Sequence, residues 1–348
     1  MTKVIIVGGN YAGCIAAKKL AKKGHEIVIV SPFDSSFASP LLPRLLTEPE
    51  LIEGNYNNKY TSIFAGLNVK HVKALVTELD PDAKVLTLST GETLDYEHLV
   101  IATGTSHGEL FKPSSSGAMD SNVSLIKSTA EKIKSNKNIA VIGGGPTGVE
   151  VSGDIAHHYP DKSVDLYTGS GNPLPTLPLK KQLQAVSMLE KKGVKVIKKN
   201  AEISGNTVDG KSYDLVLTTF GVKPNSGFIP KKLLNSEGYL KVSEDLTVPG
   251  YTNILGFGDI TDTSNNTLVA IILGQTKTLE KSAEKYFEGK SVNPPPYKNP
   301  KGASMFVPVG KDGGVGIVFG WSIPSFLVKI VKAKDYMISH MANYYDQF

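Results

Sequence analysis

Three glycines, Gly143, Gly145 and Gly148, have the types and spacing that most directly imply chemistry in this chain. They follow an apolar stretch from Ile139 to Ile142 and open a helix-like run, IAVIGGGPTGVEVSGDI. In a G-x-G-x-x-G turn the first glycine makes the tight bend, the second lets a pyrophosphate approach the backbone, and the third packs helix on strand. The unpaired N–H groups and dipole of a helix N-terminus favour the anion. Pro146 and Thr147 complete the turn, and Glu150 follows two residues beyond Gly148. A degenerate copy, Gly8-Gly9-Asn10-Tyr11-Ala12-Gly13, opens the chain after Val4 to Val7. There Asn10 occupies the second glycine's slot, so any phosphate must tolerate a side chain. About 20 residues past each turn, where an acid normally takes the ribose hydroxyls, stand Ser31 and Thr168.

Two further signals sit at matching distances. An apolar strand ends in Ala102-Thr103-Gly104, leaving backbone groups free beside a ligand. Another, from Thr252, delivers Asp259 directly after Gly258. The elements that must position these residues are two βαβ units. The first has strands Val4 to Val7 and Glu26 to Val30 about a helix with Ala16 and Ala17. The second has strands Ile139 to Ile142 and Val164 to Tyr167 about a helix ending near His157. Val69 to Val76 and Lys84 to Leu88 read as an antiparallel excursion, and Ser106 to Asn138 as a polar crossing between domains. Lys180 to Lys192 and Leu268 to Glu288 read as helices, and Pro294-Pro295-Pro296 as a stiff linker.

Composition bounds the function. The 348 residues suffice for two or three domains. The formal net charge of +5 is mild, and no aromatic-plus-basic motif accompanies it, so no nucleic-acid partner is expected. The single cysteine, Cys14, excludes an internal disulfide and a C-x-x-C redox pair. His157-His158 lacks a second ligand pair at metal spacing. No leader peptide is expected at a start that enters a strand at once. Thr at position 2 argues against N-myristoylation, and no apolar run reaches membrane-spanning length. The expected setting is the cytoplasm, or the surface of a lipid droplet, mitochondrion or other membrane.

Two dinucleotide turns, an Ala-Thr-Gly strand end between them and a Gly-Asp after the second unit resemble the two-dinucleotide-binding-domain flavoproteins. The runs GGGPTGVEVSGDI, FASPLLP and GASMFVPVGKDGGVGIVFG are similar to the apoptosis-inducing-factor-like, ferroptosis-suppressor (AMID-like) branch, related to type II NADH dehydrogenases. The resemblance implies an α/β fold of two Rossmann-like domains in glutathione-reductase-like arrangement, plus a small α+β C-terminal domain. Residues 1–108 and 250–292 would bind FAD, residues 109–249 NADH or NADPH, and residues 293–348 would form an interface or membrane-proximal domain.

It also implies residue roles. Gly8, Gly9, Asn10, Tyr11, Ala12, Gly13, Ser31, Arg44, Thr103, Gly104, Gly258 and Asp259 would hold FAD, with Leu268 and Val269 near its ring. Gly143, Gly145, Pro146, Thr147, Gly148, Gly221 and Pro224 would take the nicotinamide dinucleotide. Glu150 and Lys332 would act at the reacting centre. The implied activity is NAD(P)H:quinone oxidoreduction. Its rivals are a reductase for a protein acceptor, an NADH oxidase or peroxidase, and a redox-sensing flavoprotein with slow turnover. The tail carries Ile323, Phe326, Leu327, Ile330, Val331, Met337, Ile338 and Met341 near helical spacing, among Lys329, Lys332 and Lys334. That stripe reads first as packing on the body or on a second copy in a homodimer, and second as a peripheral membrane contact.

Overall fold

The computed structural model describes residues 2–107, 119–263, 271–297, 304–336 and 338. Two parallel sheets organise it. In the first, the strand Lys3–Val7 pairs with Glu26–Ser31 on one side and His98–Ile101 on the other. Val69–Lys73 extends the first edge, and Tyr251–Gly256 followed by the short antiparallel Thr247–Val248 extends the second. Strands from both ends of the sequence thus share one sheet. Val4, Ile6, Ile27, Ile29, Val100 and Leu255 are buried on one face with the helix Tyr11–Lys22, and Ile5, Val28, Leu99 and Ile254 on the other. Burial on both faces is why these strands read as unbroken apolar runs.

In the second sheet Asn138–Ile142 lies between Ser163–Tyr167 and Leu215–Thr218, and Val194–Ile197 forms the far edge; all are parallel. The helix Pro146–His158 starts on the glycine turn and is buried from Gly148 to Ala156. A helix buried on every side needs neighbours on every side. One is its own sheet. Another is the short helix Leu42–Leu45, and a third is the C-terminal sheet of Met305–Pro308, Gly314–Val318 and Trp321–Ile323. Gly153 makes the last contact close: a Cβ there would lie 2.8 Å from Val309 Cα.

Three segments differ from the sequence reading. Val69–Lys73 joins the first parallel sheet, and the antiparallel meander is instead Val76–Asp80, Val85–Leu88 and Thr93–Asp95. As an edge strand Val69–Lys73 tolerates the exposed Lys70, which pairs with Glu26. The polar crossing contains a 17-residue helix, Met119–Ser135, whose Ile126, Ala130 and Ile133 recur at helical spacing and are buried. Asn57–Lys59, in the polar run Asn55 to Tyr60 whose composition reads as loop, pairs with Ser35–Phe37.

The two turns share one steric design. A Cβ on Gly13 would lie 1.8 Å from the Gly8 carbonyl oxygen, and one on Gly148 would lie 1.9 Å from that of Gly143. At Gly145 a Cβ would meet nothing within 4 Å. The expected outcome is that Gly148→Ala lowers stability by roughly 1–3 kcal/mol, whereas Gly145→Ala melts as wild type but binds nicotinamide dinucleotide poorly. Denaturant melts and equilibrium titration check this pair, and equal melting midpoints for both variants would contradict it.

Candidate cofactor cleft

A cleft of about 380 Å³ opens at the C-terminal ends of the first sheet. The first turn supplies Gly8, Gly9, Asn10, Tyr11 and Ala12, and Ser31, Thr103, Gly104 and Asp259 line the walls. Thr147 and Glu150 of the second unit close one end. Phe33, Phe37, Pro40, Leu42 and Pro43 give that region an apolar side. The structure thus brings eleven of the sequence-assigned residues to one cavity. The crevice beyond the carboxyl ends of parallel strands is where open α/β sheets hold ligands.

The degenerate first turn resolves physically. The Asn10 side chain is tied to the strand Ser35–Phe37: its Oδ1 accepts from Ser36 Oγ at 2.7 Å and from the Phe37 N–H at 3.2 Å. Asn10 itself precedes the helix with extended backbone. Tyr60 braces the turn from behind, donating to the Gly9 carbonyl at 2.6 Å, with Ser31 Oγ 3.1 Å away. Ser31 is therefore both a cleft wall and a support. Gly258 takes φ +82°, and its N–H donates to Gln275 Oε1 at 2.8 Å, which fixes the bend that presents Asp259.

Gly221 and Pro224 lie on the return from the second unit. Val222–Pro224 pairs antiparallel with Thr105–His107. Asn225 then fastens the two units: its N–H donates to the Gly104 carbonyl and its Nδ2 to the Thr103 carbonyl, both at 2.9 Å, while Thr103 Oγ1 donates to the Asn225 carbonyl. Asn225 directly follows Pro224, and nothing local in the sequence marks it as a clamp. Leu268 and Val269 fall outside the described residues.

Glu150 is buried, with its carboxylate 2.6 Å from Lys332 Nζ. Burial raises the Glu150 pKa above the usual carboxylate range, and the charge and hydrogen bond of Lys332 oppose that rise. Lys332 also donates to the Phe306 carbonyl at 3.3 Å. It thus reaches Glu150 from the C-terminal segment, 182 positions away.

Arg44 has another place. It is absent from the cleft lining and only 1% exposed. Its guanidinium grips Asp154 through Nε at 3.2 Å and Nη2 at 3.0 Å, donates to the Ala333 carbonyl at 3.1 Å, lies 3.3 Å from Glu48, and sits 4.8 Å over the Tyr336 ring. A single cation in an apolar run is here compensated by protein groups, two carboxylates, a carbonyl and an aromatic face. Tyr336 donates to Asp154 at 3.0 Å and adopts φ +51°. A buried aromatic residue in that left-handed region is strained by about 1–3 kcal/mol and persists only where its surroundings over-determine it. Burial and the neighbouring carboxylates push its hydroxyl pKa well up.

The tail stripe is split. Val328, Ala333 and Tyr336 are buried and Ile338 packs on the core. Trp321, Phe326 and Ile330 are 79%, 61% and 64% exposed, beside Phe319 and the exposed Lys329 and Lys334. Met337 and Met341 fall outside the described residues. Among the described residues no helix is long and apolar enough to cross a membrane, and none of their His, Cys, Asp and Glu side chains cluster in a way that could hold a metal.

Two glycine-turn sheets sharing a cleft define a dinucleotide-dependent α/β oxidoreductase. The chain belongs to the pyridine nucleotide-disulphide oxidoreductase family, whose model matches residues 2–276. It is similar to oxidoreductase ptaL of Pestalotiopsis fici, 28% identical over 95% of both chains. It is also similar to apoptosis-inducing factor homolog B of Dictyostelium discoideum, 26% identical over 97% of this chain and 95% of that protein. Mouse ferroptosis suppressor protein 1 is likewise 26% identical, over 97% and 94%. Among solved structures, the sulfide:quinone oxidoreductase of Aquifex aeolicus matches with a TM-score of 0.77 at 15% identity, covering 99% of this chain and 92% of that one. A putidaredoxin reductase matches at 0.69 and 19%, covering 92% and 85%. The fold is the one these share, and the cofactors are FAD and NAD(P)H.

Glu48 tests the electrostatics beside Arg44. Burial would raise its pKa, but hydrogen bonds from His158 and Lys311 and the charge of Arg44 lower it to about 2, from 4.5. A depressed folded pKa contributes stability that is complete above the unfolded value and lost as pH falls through the folded one. The window is therefore pH 4.5 down to 2. Glu48→Gln is expected to flatten acid unfolding across that window in a pH-dependent denaturation series. A loss of stability that is the same at every pH would contradict the assignment.

Proposed function

We propose that this protein is an NAD(P)H:quinone oxidoreductase. The observation that carries the reading is the cleft running from the first turn to Glu150 of the second-turn helix, with an apolar wall at that end. In this reading two dinucleotides held by separate turns meet in that cavity. Bound in this cleft, FAD would supply the chemistry, as an acceptor of hydride and a donor of two electrons.

The chain's own residues bind, orient and handle the proton. The helix start at Tyr11, Ala12 and Gly13 presents backbone N–H groups to the FAD phosphates, and the one at Thr147 and Gly148 does the same for the nicotinamide dinucleotide, while Gly8, Gly9 and Asn10, and Gly143, Gly145 and Pro146, shape the two turns. Asp259, Thr103 and Gly104 hold FAD along its length, and Gly221 and Pro224 border the nicotinamide. Reducing a quinone to its hydroquinone with NAD(P)H consumes one proton besides the hydride. Glu150, with its raised pKa and its hydrogen bond to Lys332, can hold that proton beside the cleft. Phe33, Phe37, Pro40, Leu42 and Pro43 suit an apolar acceptor. Cys14 is fully buried and is the only cysteine, so no disulfide can relay the electrons.

The exposed Phe319, Trp321, Phe326 and Ile330, with Lys329 and Lys334, are the proposed peripheral contact with a membrane that holds a lipid quinone. In this reading the protein works at the cytoplasmic face of such a membrane, with residues 1–108 and 250–292 as its FAD domain.

Purified protein is expected to be yellow and to oxidise NADH or NADPH with a short-chain ubiquinone analogue. Glu150→Gln should keep its flavin and lower turnover by about 10²-fold. Turnover with a small iron–sulfur protein but with no quinone would assign a protein acceptor instead, and a colourless protein would overturn the flavin reading.

A further inference from the structure

The loops after Tyr167 and Ile197 lie side by side at the edge of the second turn. The Thr168 N–H donates to the Ile197 carbonyl at 2.9 Å, and its Oγ1 donates to the Gly171 carbonyl at 2.6 Å. A Cβ on Gly144 would lie 2.8 Å from Thr168 Cβ, so Thr168 packs directly on the phosphate turn. That is where a ribose-selecting carboxylate stands in turns that choose NADH, because its charge pairs with the 2′-hydroxyl and repels a 2′-phosphate. Here the position is neutral and its hydroxyl donates within its own loop, to the Gly171 carbonyl.

The neighbouring loop changes the charge balance. Gly169 adopts φ +79°, and a Cβ there would lie 3.3 Å from Asn200 Oδ1, so Asn200 borders the same rim. Tyr167 and Ile197 are in register, which places Lys198 opposite Thr168. Positions 168–171 and 198–200 contain no acid. Lys199 leans away to Asp209 at 3.2 Å, while Lys198 is exposed and, among the described residues, has no carboxylate partner.

We infer that this rim is a 2′-phosphate site, so that the protein's preferred hydride donor is NADPH, with Lys198 as counter-charge, Ser170 and Asn200 as neutral donors, and Thr168 as the position that sets the preference. The inference rests on the second turn holding the nicotinamide dinucleotide. A lysine–phosphate contact is charge-assisted and is absent from the NADH complex, so it discriminates without altering the rest of the site.

The test is equilibrium titration of the flavin-loaded protein with NADP⁺ and NAD⁺ at low and high salt. NADP⁺ is expected to bind about tenfold tighter at low salt, with the advantage shrinking as salt rises. Lys198→Glu should erase the difference between the nucleotides, and Thr168→Glu should reverse it. Wild-type protein that binds NAD⁺ as tightly as NADP⁺, or a Lys198→Glu variant that weakens both alike, would overturn the inference while leaving the dinucleotide site in place. Binding of neither nucleotide to a protein that retains its flavin would overturn the second turn's role, and this inference with it.

Discussion

Everything around the cleft depends on how one buried helix, Pro146–His158, is held against the first unit. Asp154 on that helix is fully buried, and Arg44 is its bidentate partner. A buried pair of this kind adds little net stability, since desolvation offsets the attraction, but removing one partner leaves the other charge uncompensated. An arrangement that parted Arg44 from Asp154 while leaving either buried is therefore strongly disfavoured. The three residues come from three segments: the insertion after the second strand, the second-turn helix and the C-terminal tail. Glu150 lies one helical turn before Asp154, so fixing Asp154 also fixes the carboxylate that faces the cleft. Lys332 adds a second tie from the same tail.

The glycines act on a smaller scale and to the same end. Gly13 and Gly148 let each helix sit on the carbonyl that begins its turn, while Gly145 leaves its outer side open. Asn225 joins the strand ends of the two units through paired hydrogen bonds. The result is two glycine-turn helix starts whose separation is set by packed backbone. Rigid placement of two ligands is the protein's main contribution when the cofactor carries the chemistry.

The sequence made the two βαβ openings legible because a phosphate turn has few steric solutions, and glycine spacing records them. Asp259 after Gly258 was legible for the same reason. Asn10 was visible as a departure, but its accommodation was not, because Ser36 and Phe37 reach it from a separate short strand. Arg44 is placed at FAD by the resemblance alone, and its bidentate partner Asp154 stands 110 positions away. No local pattern encodes such a pairing. The edge strand Val69–Lys73 was misassigned because alternating charge looks alike in an antiparallel excursion and at a parallel edge. The helix Met119–Ser135 was hidden by its polar surface, although Ile126, Ala130 and Ile133 carried its period.

The claim that matters most is that the two turns place nicotinamide and flavin in contact. Anaerobic rapid mixing of the flavin-loaded protein with NADPH or NADH reads that contact directly. The account predicts a transient long-wavelength charge-transfer band, followed by bleaching of the flavin's visible absorbance in step with nicotinamide oxidation. A flavin that stays oxidised with both nucleotides bound, with neither band nor bleaching, would contradict it.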